Sequence, residues 1–160
     1  MNGGIGMATV SKFSSKVKKL KRTDTVPFLT DSGESVEFKV ESRSSKEIEE
    51  LSERYEAMKP PVPTQKVPSG RGFKVIERPN DPEYKKAVAD INKQHFIHMA
   101  LLFLAEDERP EGTEEEQLKA IEEVELAGFV GKIVNRGLEL SGLSDEEETL
   151  DEAVEEERKN

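Results

Sequence analysis

The chain has 160 residues, of which 34% are hydrophobic and 36% charged, with a net charge of -10 and no cysteine. That length and balance fit one modest hydrophobic core, and the missing cysteine excludes disulfides, thiolate nucleophiles and cysteine-based zinc sites. The charge is bipolar: residues 1–22 carry six basic groups and no acid, 23–105 twelve basic and fourteen acidic, and 106–160 six basic and twenty acidic.

The opening MNGGIGMATV lacks the apolar stretch of a secretory leader. The longest strongly apolar run, FIHMALLFLA at 96–105, is half the roughly 20 residues a membrane helix requires, so a buried helix segment is expected there. In segment 1–22, Val10, Phe13, Val17 and Leu20 recur at helical spacing, but Ser14 and Ser15 weaken a helix over 12–20, and a frayed, flexible basic arm is expected.

Between Thr25 and Glu41 the pattern has period two. Val26 to Leu29, the turn composition Thr30-Asp31-Ser32-Gly33, and the alternation of Val36, Phe38 and Val40 with Glu37 and Lys39 predict a β-hairpin with one packed face. Ser44-Ser45-Lys46-Glu47 has capping-box spacing, and Ile48, Leu51, Tyr55 and Met58 follow on one stripe, predicting a helix over 45–59 that Pro60 and Pro61 terminate. Segment 59–81 holds five of the eight prolines and reads as an extended loop or a poor edge hairpin.

Asn80-Asp81-Pro82-Glu83 combines a capping side chain, a proline whose missing amide costs nothing, and a carboxylate at the positive end of the dipole. A central helix to about Ala105 is predicted, with Tyr84, Val88, Ile91, His95, Met99 and Leu102 on one face. Thr113 and Glu116 repeat the capping box ahead of helical sequence over 114–140, which Gly128 and Gly131 interrupt or bend. Gly142 is placed to close it in a left-handed conformation, with Leu143 folding back. From Ser144 onward nine acids and almost no apolar content predict a solvated acidic tail.

No catalytic constellation emerges. His95 and His98 are three apart on one helix, but no HExxH pattern or second histidine pair completes a metal site, and both read as packed residues, His95 at the core margin. The carboxylates lie in first helical turns or in the tail, where the helix dipole and solvation account for them. Ser69-Gly70-Arg71-Gly72 lacks phosphate-loop spacing and a convincing strand before it. No catalytic residue, cofactor or metal is therefore expected. The basic arm suits phosphate contacts, but the acidic total and the absence of a basic, aromatic-studded sheet weigh against nucleic-acid binding. Attraction of the arm to the acidic tail, or to an acidic partner, suits the same charges.

Protein binding is the stronger reading, through amphipathic helices, a long proline-rich segment and charged ends. Most hydrophobic positions of 82–105 and 114–140 are first of all core. A docking groove is expected from those of Met58, Phe73, Phe103, Phe129 and Ile133 that stay partly exposed.

The order and texture of VPFLTDSGESVEFKVE, SKEIEEL, HMALLFLA and AGFVGKIVNRGLELSGLSDEEE resemble the tail assembly chaperones of long-tailed bacteriophages and prophages of Gram-positive bacteria, over about residues 24–148. The proline-rich segment 59–81 and the basic arm depart from that pattern. The resemblance implies a non-enzymatic protein of the host bacterial cytoplasm that binds the tape measure protein, promotes polymerisation of tail tube protein around it, and is absent from the mature virion. It also implies a longer form made by ribosomal frameshifting.

The expected architecture is α+β and mainly helical, an N-terminal hairpin packed against a bundle of three to four helices. Its organisation is a basic arm at 1–22, a single core at 23–143 containing the proline-rich loop, and an acidic tail at 144–160. Self-association is compatible with this reading. The alternatives are a small regulatory nucleic-acid-binding protein using the basic arm, and a structural head-tail component.

Overall fold

The computed structural model describes residues 12–143. They form an α+β chain: a helical stretch α1 over 12–18, hairpin strands β1 (Thr23–Leu29) and β2 (Ser35–Glu41), helix α2 (Ser45–Glu56), a second hairpin of β3 (Thr64–Ser69) and β4 (Gly72–Glu77), the long α3 (Pro82–Phe103), a 3-10 turn at Glu106–Glu108, α4 (Glu114–Glu122) and α5 (Phe129–Leu140). The acidic tail lies outside the described residues, and so do residues 1–11 of the arm.

The single core expected over 23–143 is instead divided. Described residues 12–44 and 100–143 make one compact unit and residues 45–99 another. The buried apolar content is shared unevenly: most buried hydrophobic side chains belong to the first unit, while the second buries Leu51, Tyr55 and Ile97.

In the first unit, β1 and β2 pair antiparallel with Val26 opposite Phe38 and Phe28 opposite Val36. The turn closes with Thr30 and Glu34 bonded through their backbones and Gly33 at φ 86°. Backbone bonds at Thr30–Glu34 and at Arg22–Ser42 set the alternation, so even-numbered residues of β1 make the ladder bonds and Pro27 takes a position whose amide would point outward. Val26, Phe28 and Val40 are buried, and the hairpin packs on α5 through a cluster of Phe28, Phe38 and Phe129 with ring centroids 5.1–5.8 Å apart.

α5 approaches the end of α3 closely at Gly137, where a Cβ would fall inside the ring of the fully buried Phe103. The same helix closes as its sequence predicts. Gly142 takes φ 79°, its amide bonds Glu139 O, and the Leu143 amide bonds Leu138 O, the pair of bonds that satisfies a helix's last carbonyls; the Leu143 side chain, however, is half exposed.

α3 ends at Phe103 because the chain becomes extended and joins the sheet: Leu104 bridges Val40 and the Ala105 amide bonds Lys39 O. Its last carbonyls are met by two arginines from outside the helix. Arg43 donates to Leu102 O (2.7 Å) and Leu104 O (3.3 Å), and Arg109 to Leu104 O (3.1 Å) and Leu102 O (3.2 Å). Two guanidinium groups thus supply at the negative end of the dipole what no side chain of the last turn provides.

The predicted helical sequence over 114–140 is broken into α4 and α5 by residues 123–128. Thr113 caps α4, its hydroxyl accepting from the Glu116 amide; the Glu116 carboxylate bonds the Thr113 hydroxyl, where a full capping box would use the Thr113 amide.

In the second unit, Leu51 and Tyr55 of α2 are buried as the stripe predicts, but Met58 is exposed. The helix tightens after Glu56, with Met58 N bonding Tyr55 O and Lys59 N bonding Glu56 O, and three residues per turn carries Met58 off the stripe. The proline-rich segment is a hairpin, with a strand leading into Ser69–Gly72. Gly70 at φ 59° occupies the first position of its two-residue loop, as a type II′ turn requires. The Arg78 amide bonds Pro63 O, so odd-numbered residues of β3 make the ladder bonds and Pro68 escapes them just as Pro27 does.

α3 starts where predicted, with the Asp81 carboxylate accepting from the Tyr84 amide at 3.1 Å. Its buried face is different: Tyr84, Val88, Ile91, His95, Met99 and Leu102 are half-buried, and the buried positions are Ile97, His98, Ala100, Leu101 and Phe103. The arm is also more ordered than expected, since residues 12–18 are helical despite Ser14 and Ser15.

Candidate functional site

The feature with the geometry of a binding site is an apolar groove in the first unit, with a volume of about 230 Å³. The hairpin supplies Phe28 and Phe38, the first turn of α5 supplies Phe129, and Leu104 lies at the bridge between α3's end and β2. α4 contributes Ile121, and the segment joining α4 to α5 contributes Val124 and Leu126. Glu108 is the one charged residue of the lining.

Local sequence explains both the walls and the rim. Period-two alternation puts Phe28 and Phe38 on the packed face of the hairpin. The stretch Glu123-Val124-Glu125-Leu126 has no helix to bury its apolar members, so Val124 and Leu126 stay 40% and 50% exposed between carboxylates. From Glu106 to Glu125 the acids are Glu106, Asp107, Glu108, Glu111, Glu114, Glu115, Glu116, Glu122, Glu123 and Glu125, against only Arg109 and Lys119. Arg109 is already committed to carbonyls. The groove is therefore greasy within, and the chain segment that forms this part of its lining is strongly acidic in sequence, which suits apolar side chains from a partner with basic neighbours. Its volume is below the roughly 300–1,000 Å³ of small-molecule sites, and one carboxylate gives little to orient a compact ligand.

Of the five side chains from which a groove was expected, each takes its place within its own unit. Met58 and Phe73 are exposed and belong to the second unit, while Phe103 and Ile133 are sealed inside the first. Expected partial exposure gives way to full burial there because Gly137 admits the Phe103 ring against α5 and Ile133 lies on that helix's buried face. Phe129 is 5% exposed, yet its ring lines the groove. Sequence reasoning missed Phe28, Phe38, Leu104, Val124 and Leu126; the available signal was two large apolar residues in a short acidic connection between helices.

Each unit also holds a polar cluster. In the second unit the buried Tyr55 hydroxyl lies 2.8 Å from His98 Nδ1, and His95 stacks on the Tyr55 ring at 5.2 Å. Burial, with the Lys59 ammonium adding to it, holds His95 below the usual histidine range, against the opposing pull of Glu56. His98 is thus the buried member of the pair and His95 the marginal one. In the first unit Arg136 bridges Asp24 (2.7 Å) and Glu139 (2.6 Å), and the Glu139 and Asp24 bonds hold its guanidinium above its ordinary range. Asp24 is held low, first by the Thr25 backbone amide and then by Arg136. Among the described residues no three His, Asp or Glu side chains converge as metal ligands, and no helix is long and apolar enough to cross a membrane.

Comparison with protein-family models, with curated proteins and with solved structures finds no match for this chain.

Proposed function

We propose that this chain is a protein-binding assembly chaperone, of the class that serves phage or prophage tail assembly, and that it holds an apolar helical stretch of a tape measure protein in the groove between the hairpin, α4 and α5. The observation that supports this reading is the groove itself: three phenylalanine rings and Leu104 within, half-exposed Val124 and Leu126 at the rim, and a single charged lining group. A long helical partner presents apolar side chains at intervals of three and four, and two or three of them fill a groove of this size. The acidic segment adds solubility while the greasy contact is made. On this reading the protein acts in the host bacterial cytoplasm, hands its partner to the tail tube protein, and stays out of the finished virion.

The test is co-expression with a phage tape measure protein. A rise in that protein's soluble fraction, with a complex on gel filtration, is the expected result. No gain in solubility and no complex would remove the proposal.

A further inference from the structure

The described part of the arm carries apolar side chains that stay exposed among the described residues. Phe13 and Val17 stand at i and i+4 along one side of α1, Leu20 follows in the turn that closes it, and the three are 70%, 43% and 66% exposed. Lys12, Lys16, Lys18, Lys19, Lys21 and Arg22 surround that stripe, with no acid among residues 12–22. The groove described above is its complement in both respects: an apolar lining, Val124 and Leu126 exposed at the rim, and Glu123 and Glu125 beside them with Glu108 in the lining.

The arm is rooted away from its own groove. Leu20 lines a small cavity with Ser42 and Leu140, at the C-terminal end of α5, and the Arg22 amide donates to Ser42 Oγ at 2.9 Å. Phe129, in the groove, opens the same helix, so the two places are separated by on the order of 16 Å of helix. α1 over 12–18 spans about 10 Å, and its stripe does not lie along its own groove while Arg22 holds Ser42.

From this we infer that the occupant of the groove, in the absence of another partner, is residues 12–20 of a second copy of this chain. Phe13, Val17 and Leu20 enter the apolar lining, and the surrounding lysines face Glu108, Glu123 and Glu125. Donor and acceptor are different patches, so the contact is heterologous and either closes into a ring or continues as an open chain of subunits. The inference rests on the groove being a docking surface, as the proposed function does, but not on the identity of that partner. It assigns the arm a second role: a partner helix entering the groove displaces it, which couples client binding to disassembly.

Sedimentation of the full chain against concentration and salt tests this, with two variants altered only at exposed side chains. Wild type is expected to associate with rising concentration, and the association to weaken roughly tenfold between about 0.05 and about 0.3 M salt as charges are screened. The arm variant Phe13→Ser/Val17→Ser and the groove variant Val124→Ser/Leu126→Ser should each sediment as monomers. Mixed together they should form a 1:1 dimer, because one retains an intact groove and the other an intact arm; damaged folding does not produce that restoration. A wild type that is monomeric throughout, either variant still associating alone, or a monomer whose arm binds only anionic vesicles would each overturn the inference. The client experiment separates the two claims: a partner solubilised equally well by wild type and by the arm variant, with wild type monomeric, sinks the self-docking and leaves the proposed function standing.

Discussion

Gly137→Ala reads the packing of the first unit through the sign of a single stability change. At an exposed helical position, replacing glycine by alanine stabilises by about 0.8–1 kcal/mol. At Gly137 the new methyl falls within the ring of Phe103, which is fully buried. Overpacking of that kind costs about 1–3 kcal/mol and offsets or outweighs the propensity gain, for an expected net loss of up to about 2 kcal/mol. Urea unfolding followed by far-ultraviolet circular dichroism gives the number, with an unchanged slope confirming that stability alone has moved. Phe103→Leu should cost about 1–2 kcal/mol by itself, as a large-to-small core change. The double variant should be less damaged than the sum, by about 1 kcal/mol or more, because the leucine leaves room for the methyl. A Gly137→Ala protein more stable than wild type, or strict additivity in the double variant, would refute the close approach of α5 to Phe103.

Other consequences are accessible to the same assays. Arg43→Ala or Arg109→Ala alone leaves the Leu102 and Leu104 carbonyls one charged donor each, so a loss of about 1–2 kcal/mol is expected for either, and the double variant should lose more than their sum; additive urea midpoints would argue against shared capping. Thr113→Ala removes the cap of α4 and should cost about 1 kcal/mol, measured by thermal unfolding. The folded His95 prefers to be neutral, so the unfolded chain takes up its proton first: stability from this group is present above the ordinary histidine value and falls as pH drops through it. Melts of wild type and His95→Gln should converge as pH is lowered from 7.5 to 5.5 if the glutamine form is the less stable at neutral pH; parallel pH profiles would contradict the burial assigned to His95.

Particular residues show why some of this was legible in the sequence and some was not. Alternation of Val36, Phe38 and Val40 identifies the packed face of the first hairpin, because strand sidedness depends only on parity. Asp81-Pro82 and Gly142 mark helix ends through chemistry confined to a few neighbouring residues, and both ends form as read. The face of α3 was not legible: FIHMALLFLA is apolar nearly all round, so periodicity within it cannot select a side, and its neighbours decide. Prolines left segment 59–81 open between an extended loop and a poor edge hairpin; the hairpin forms, since a proline forbids a ladder bond only at alternate positions and Pro68 occupies one of the harmless ones. The groove depends on three phenylalanines brought together from β1, β2 and α5, a coincidence of tertiary structure that no local pattern encodes. Of its members, only Phe129 was foreseen, and from helix periodicity alone.

The most direct measurement is capture of the proposed client, a tape measure protein, by wild type and by Leu126→Asp, a change at a half-exposed rim position that places a carboxylate at the mouth of the groove. With thermal unfolding of the two proteins matched, wild type should carry the client through gel filtration as a complex and Leu126→Asp should fail to. Equal capture by both would contradict the groove as the docking surface, however the client is bound.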